Sequence, residues 1–474
     1  MRARTLLSAL LTCALATPTL AQKAAPDPLA LVDARYDRTA AVARAVWDFA
    51  ELGYQEHRSS ALLQAELAKE GFKVTKGVAD IPTAFVAEYG SGGPVIGILA
   101  EFDALPGVSQ DDVPIRQPDG KPAAHACGHN LFGSGSVTAA IALSQWLKAT
   151  GTPGTVRLYG TPAEEGGSGK VYMVRAGLFK DVDFALHWHP SSVNSAAAQT
   201  TLANRSAKFR FRGKAAHAAG APAQGRSALD GVEAMNMMVN MMREHTTMDS
   251  RIHYVITEGG SAPNVVPEFA EVFYYVRHSE TGEVEAMWKR LEDAARGAAL
   301  GTGTTVDWEI IHGNNPLLVN ETLAKVMDAK LRQIGGMQLS AEETRFATEI
   351  GKTLAEPKPV AQAAAIEPYG KTLGYGSTDV GDVSWATPTV GLNTASWAPG
   401  TPAHSWQSAA ASGTSLGFKG AQLAAKAMTL MAVQLYTDPA LRQAARAEFD
   451  ASRGPNYQYR SLLGDRKPPL DFRK

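Results

Sequence analysis

A chain of 474 residues, 45% of them apolar, is long enough to bury one large core and a second, smaller one. Its formal charge of −1 and the lack of any Lys/Arg run give no electrostatic basis for a nucleic-acid partner. Beyond the first residues no apolar stretch reaches membrane-spanning length, so a small neutral or zwitterionic ligand is the expectation.

The start reads as an export signal over residues 1–21: Arg2 and Arg4 precede an apolar run from Leu6 to Leu15, and Thr19-Leu20-Ala21 offers small residues for cleavage. A periplasmic or secreted location follows. Of the two cysteines, cleavage removes Cys13 and leaves Cys127, which excludes an intrachain disulfide. From Pro28 to Arg205 helical patterns (Ala40 to Glu51, Ser59 to Glu70, Ser134 to Ala149) alternate with β-rich runs (Thr83 to Tyr89, Val95 to Ala100, Thr155 to Tyr159, Phe184 to His187). This alternation predicts a layered α/β domain with its ligand crevice at the strand ends. Residues 206–313 read as strand, helix, strand, strand, helix, strand, a split βαβ unit of ferredoxin-like order inserted into the first domain. Its first helix carries Met235, Met237, Met238, Met241 and Met242, for which core packing and a subunit interface both remain open. Residues 314–440 return to the α/β domain, with Gly376 to His404 reading as a loop-rich stretch; residues 441–474 read as a C-terminal tail, whose final part, Pro455 to Lys474, reads as extended and lying on the surface.

Four clusters carry chemistry. Cys127 and His129, in His125-Ala126-Cys127-Gly128-His129-Asn130, share a face in extended backbone and can reach one metal or a close pair; a chance pairing in a loop is the plainer alternative. Glu164 and Glu165 stand side by side after an apolar strand, which is unfavourable without a cation or a shared proton unless both are solvated. His187 and His189 share a face at the end of the next apolar run, and His404 lies in a loop far along the chain. Each histidine alone says little. Together these residues supply the mixed sulfur, nitrogen and oxygen donors that zinc or manganese accepts.

The order of Glu101-Phe102-Asp103-Ala104-Leu105-Pro106, the Cys-Gly-His motif, Glu164-Glu165-Gly166 and Gly213-Lys214-Ala215-Ala216-His217-Ala218 resembles the M20 metallopeptidase family, closest to its amidohydrolase branch of aminobenzoyl-glutamate and auxin-conjugate hydrolases. The resemblance runs from Glu51 to His404. It implies a phosphorylase/hydrolase-like di-metal catalytic α/β domain with an inserted ferredoxin-like α+β lid and dimerisation domain, and hence a homodimer. It further implies two divalent ions per chain, Mn²⁺ or Zn²⁺, held by Cys127, His129, Glu165, His404 and a strand histidine, for which His189 is preferred to His187. Glu164 would be the general base toward a metal-activated water, Asp103 would orient a ligand, and His217 would polarise the substrate carbonyl. Asn264 and Arg277 would bind substrate, Arg277 through a carboxylate. The implied reaction is hydrolysis of the amide bond of an N-acyl or N-aroyl amino acid, with small-peptide cleavage as an alternative. A Cys127 nucleophile is a further alternative that leaves Glu165, His189 and His404 without a task. Trp188, Tyr274, Tyr275 and Trp385 are candidates for an aromatic wall around an aroyl group.

Overall fold

The structure, a computed structural model, describes residues 25–473; the expected export signal lies outside them. The larger domain is built on a mixed six-stranded sheet in the order Lys73–Lys76, Phe85–Ser91, Gly154–Gly160, Val95–Ala100, Phe184–Ser191, Thr389–Ala395. The last four of these run parallel, and the hairpin 73–91 closes one edge antiparallel. Parallel strands covered on both faces must be apolar almost throughout, and Val95–Ala100 meets that demand with only its first residue partly exposed. Helix His129–Thr150 packs across the sheet and against helix Ser415–Thr437, deeply enough that eighteen of its residues are buried. Small residues set its depth: a Cβ on Gly133 would stand 2.9 Å from the Glu101 carbonyl, and one on Gly135 2.9 Å from that of Ala421. Among the described residues no helix is long and apolar enough to cross a membrane.

The inserted unit has its own core around Phe209, Phe211, Met235, Trp288 and Leu291. Its four strands are antiparallel in the order Arg251–Glu258, Phe269–His278, Ala203–Arg212, Thr305–Asn314, with helices Ala228–Met242 and Thr281–Thr302 between them, the expected ferredoxin-like arrangement. The chain leaves and re-enters the larger domain on adjacent strands, Asn204 opposite Asn314, so one end of this sheet is rooted beside the larger sheet and the other projects away.

Three expectations need correction. The helix placed at Ser134 begins at His129, because Gly128, at φ 73°, turns the chain directly into it. Cys127 and His129 therefore converge across a left-handed turn and not along extended backbone. The stretch 376–404 contains helix Val380–Ala386 and the edge strand Thr389–Ala395; its Gly and Thr content masked a strand that pairs along its full length with Phe184–Ser191. The tail from residue 441 is first a helix, Pro439–Arg453, capped by Asp438; beyond it the chain does run along the surface but is pinned by buried Leu462 and Leu463.

Candidate active site

The polar clusters meet at the carboxyl ends of the parallel strands, in a cavity of about 640 Å³ roofed by the root of the inserted domain. Strand Val95–Ala100 ends on Glu101 and Asp103, Gly154–Gly160 leads to Glu164 and Glu165, and Phe184–Ser191 presents His187 and His189 on its cavity side. Cys127 stands just before helix His129–Thr150. His404, in the left-handed region at φ 60°, is held to the Cys127 loop by its N–H donating to the Ala126 carbonyl at 2.9 Å. Gly128 is required twice over: its φ is positive, and a Cβ there would meet the Pro190 ring at 2.7 Å.

Donor atoms of Cys127, His129 and His189 lie within 4.8 Å of one another, and so do those of Cys127, Glu165 and His404. The two sets share Cys127 and contain all five expected ligand residues. Of the two strand histidines it is His189 that joins them, its Nε2 3.5 Å from the Cys127 sulfur; His187 packs instead against Gly391 of the neighbouring strand. A third set, Glu101, His129 and Glu164, adds a carboxylate that motif reading passed over.

The surroundings aim these atoms inward. Asp103 Oδ1 accepts from His129 Nδ1 at 2.8 Å, which leaves Nε2 as the free lone pair, while Asp103 Oδ2 accepts the Glu165 N–H at 3.0 Å. His189 Nδ1 is occupied in the same way by the Pro190 carbonyl at 2.7 Å. His404 Nε2 is 3.1 Å from Glu165 Oε1, and His129 Nε2 is 3.1 Å from Glu101 Oε2, yet His129 Nε2 and Glu165 Oε1 are buried without an aligned hydrogen bond. Two buried ligand atoms left unbonded in this cluster, His129 Nε2 and Glu165 Oε1, are suited to a cation.

Charge balance says the same. Burial works against a charged His129, but the Asp103 carboxylate, the Cys127 sulfur and Glu101 outweigh it and lift its pKa well above the imidazole norm. Burial, then Glu101 and Glu165, pushes the Glu164 carboxyl up, and burial with Glu165 pushes up the Cys127 thiol. Negative charge is in excess, and a divalent ion relieves it while favouring the thiolate. Beneath, fully buried Lys170 spans Glu101 and Asp379, with Nζ 2.7 Å from each carboxylate. Sequence reading missed Lys170 and Asp379. Neither carried a signal of its own: Lys170 lies in a short helix, Gly169–Arg175, that also ends on a basic residue.

The substrate residues separate. Arg277 lines the cavity and, among the described residues, has no ion-pair partner and a buried Nε without a hydrogen bond. His217 and Asn264 are exposed and sit together, the Ala218 N–H donating to the Asn264 carbonyl at 3.0 Å, but neither is among the described residues that line the cavity. Arg277 is at the rooted end of strand Phe269–His278 and His217 beyond the other end, a separation of roughly 25 Å at the rise of a β-strand. Of the aromatic candidates only Tyr275 lines the cavity. Trp188 is buried on the opposite face of its strand against Phe132, Tyr274 is in the core of the inserted domain, and the Trp385 indole donates to the Pro316 carbonyl.

A parallel α/β sheet with a cysteine, histidine and carboxylate constellation at its strand ends, under an inserted ferredoxin-like domain, defines a metal-binding hydrolase. Residues 97–375 match the model of peptidase family M20/M25/M40, and the chain belongs to that family, hydrolases acting on amide bonds. It is 40% identical over 446 residues to a subunit of the p-aminobenzoyl-glutamate hydrolase of Escherichia coli, covering 88% of this chain and 93% of that one. It is 31% identical over 433 residues to the Xaa-Arg dipeptidase of Mus musculus, covering 88% and 90%. The fold is shared with a dinuclear metal-binding M20 peptidase of Bacillus subtilis, at TM-score 0.59 and 18% identity over 85% of this chain and 99% of that one. It is also shared with an aminobenzoyl-glutamate utilization protein of Klebsiella pneumoniae, at TM-score 0.57 and 18% identity over 83% and 96%.

Proposed function

We propose that the protein is a metal-dependent amidohydrolase that releases the amino acid from an N-acyl or N-aroyl amino acid of the aminobenzoyl-glutamate kind. The observation that carries this reading is the pair of ligand sets sharing Cys127, with the Glu164 carboxylate at their edge. Cys127, His129 and His189 would hold one divalent ion, and Cys127, Glu165 and His404 the other; the mixed donors suit zinc or manganese. Bound there, the ions supply an acidified water and a polarised amide carbonyl.

The chain's own groups do the rest. Glu164, at the edge of both ligand sets, accepts the proton of the attacking water and passes it to the departing amide nitrogen. Arg277 grips a carboxylate of the released amino acid through its planar fork. His217, with Asn264 beside it, donates to the developing oxyanion. Since His217 lies far from the cavity of its own chain, it serves the site of a second copy in a homodimer formed through the inserted domain.

An Xaa-Arg peptide, the substrate named for one relative, is the second reading. An unpaired arginine in the cavity opposes a cationic product side chain and supports an anionic one. The deciding experiment is amine release from aminobenzoyl-glutamate, N-acyl amino acids and dipeptides with Mn²⁺ or Zn²⁺ added. Chelator-sensitive cleavage of aminobenzoyl-glutamate is expected. Cleavage that survives chelator and dies on thiol alkylation would overturn the reading in favour of a Cys127 nucleophile.

A further inference from the structure

The last residues of the described chain return to the active site. After helix Pro439–Arg453 the chain crosses the junction of the two domains: Leu462 packs in the core of the inserted domain and Leu463 in that of the larger one. Arg466 then clasps the inserted domain, donating to the Ile311 carbonyl at 2.7 Å and to Glu309 Oε1 at 2.9 Å. The segment is tied to the catalytic domain by Arg175, which donates to the Gly464 and Arg466 carbonyls at 2.6 Å, and by Gln55 Nε2, which donates to the Leu470 carbonyl at 2.7 Å. Phe472 meets Tyr54 edge-on at 5.6 Å. These ties deliver Arg473 into the cavity wall, its Nη2 3.6 Å from where a Cβ on Gly166 would stand, one residue from Glu165.

Among the described residues Arg473 Nη1 is buried there without a hydrogen-bond partner, and Arg473 has no ion pair. A guanidinium nitrogen withdrawn from water and left unmatched is unfavourable unless an anion completes it. Arg277, the other arginine of the cavity wall, is in the same state, with Nε buried and unbonded. One cavity thus holds two guanidinium groups, each without an anionic partner among the described residues, on opposite supports: Arg277 on the root of the inserted domain and Arg473 on the C-terminal strap.

We propose that Arg473 is a specificity-determining residue that binds a second carboxylate of the substrate, so that Arg277 and Arg473 together select an N-acylated dicarboxylic amino acid over a monocarboxylic one. This rests on the amidohydrolase reading above. The strap makes the selection depend on the final residues of the chain, with the fork of Arg473 set by the anchoring of Arg466, Leu470 and Phe472.

Two measurements on the full-length, metal-loaded protein test it. The first compares kcat/KM for aminobenzoyl-glutamate with that for aminobenzoyl-alanine in the wild type, Arg473→Gln and Arg473→Lys. The expected result is that Arg473→Gln lowers the preference for the dicarboxylate at least about tenfold, mainly through KM, and that Arg473→Lys, which keeps the charge but not the fork, falls between. An unchanged preference, or equal losses on both substrates, overturns the proposal. The second is calorimetric binding of glutarate and of butyrate, which needs no turnover. Glutarate is expected to bind the wild type more tightly than butyrate and to lose that advantage in Arg473→Gln. If neither amide is cleaved, the amidohydrolase reading fails while the glutarate comparison still decides the role of Arg473; equal binding of the two acids by the wild type overturns it.

Discussion

Half-buried Glu164 and fully buried Glu56 differ in their hydrogen-bond partners. Glu164 faces other carboxylates across the cavity, whereas Glu56 Oε1 accepts the Ala163 N–H and Oε2 the Thr83 hydroxyl, both at 2.9 Å. Glu164→Gln keeps the shape and removes the proton carrier. Turnover should fall by about 10²–10⁴, with metal content unchanged by elemental analysis; a loss of metal would mean that Glu164 is a ligand. Cys127→Ser should do the reverse of that separation and lower the metal content itself, because both ligand sets pass through this one sulfur. Glu56 is pushed up to about 8 by burial and then by Asp103. The folded protein therefore keeps a proton that the unfolded chain has lost, and this contribution to stability, full below about pH 4.5, drains away as pH rises toward 8. Its slope approaches about 1.4 kcal/mol per pH unit for one proton. Melting temperatures across that window should flatten in Glu56→Gln relative to the wild type, and parallel curves would sink the assignment.

The elements divide into those whose patterns are local and those that are not. The alternating domain and the inserted βαββαβ unit were legible because hydrophobic periodicity is written within each segment, and the Cys-Gly-His and Glu-Glu motifs because each is contiguous. The start of helix His129–Thr150 was misplaced because Gly-Ser-Gly lowers helical propensity, and only burial on every side, between sheet and helix, overrides it. The strand Thr389–Ala395 was hidden among turn-forming residues and exists through its partner, Phe184–Ser191. Lys170 illustrates what sequence cannot place: its helix, Gly169–Arg175, is short and ordinary, and its charge makes sense only with Glu101 and Asp379 brought from distant elements. Lys170→Met should destabilise the protein by about 3–5 kcal/mol in urea unfolding, since it leaves two buried carboxylates without their cation. A change below about 1 kcal/mol would mean that water or protonation already compensates them.

At the scale of the molecule, the proposed role of His217 requires a residue on the far end of the inserted domain to reach a cavity at that domain's root. The inserted domain turns apolar side chains outward on helix Ala228–Met242 and on edge strand Arg251–Glu258: Met237 and Met241 are 61% and 64% exposed, beside Tyr254 and Ile256, whereas Met235 and Met242 are buried in its core. The methionine stripe is thus core on one face and free on the other. In the homodimer proposed above, this strand edge and apolar helix face would meet their own two-fold copy, which would bring the exposed His217 of each chain toward the cavity of the other. Introducing Met237→Glu and Met241→Glu together should reduce the mass in solution to that of one chain and abolish turnover, while leaving metal content intact. Complementation separates this from a lid that closes within one chain. His217→Ala and Glu164→Gln are each expected to be inactive alone, but mixed in equal amounts and allowed to exchange they form hybrids. In a hybrid dimer one site combines an intact Glu164 with a His217 supplied by its neighbour, so activity should return to about a quarter of the wild type. If His217 acts on its own chain, no exchange of subunits can restore a complete site, and the mixture stays as inactive as its parts.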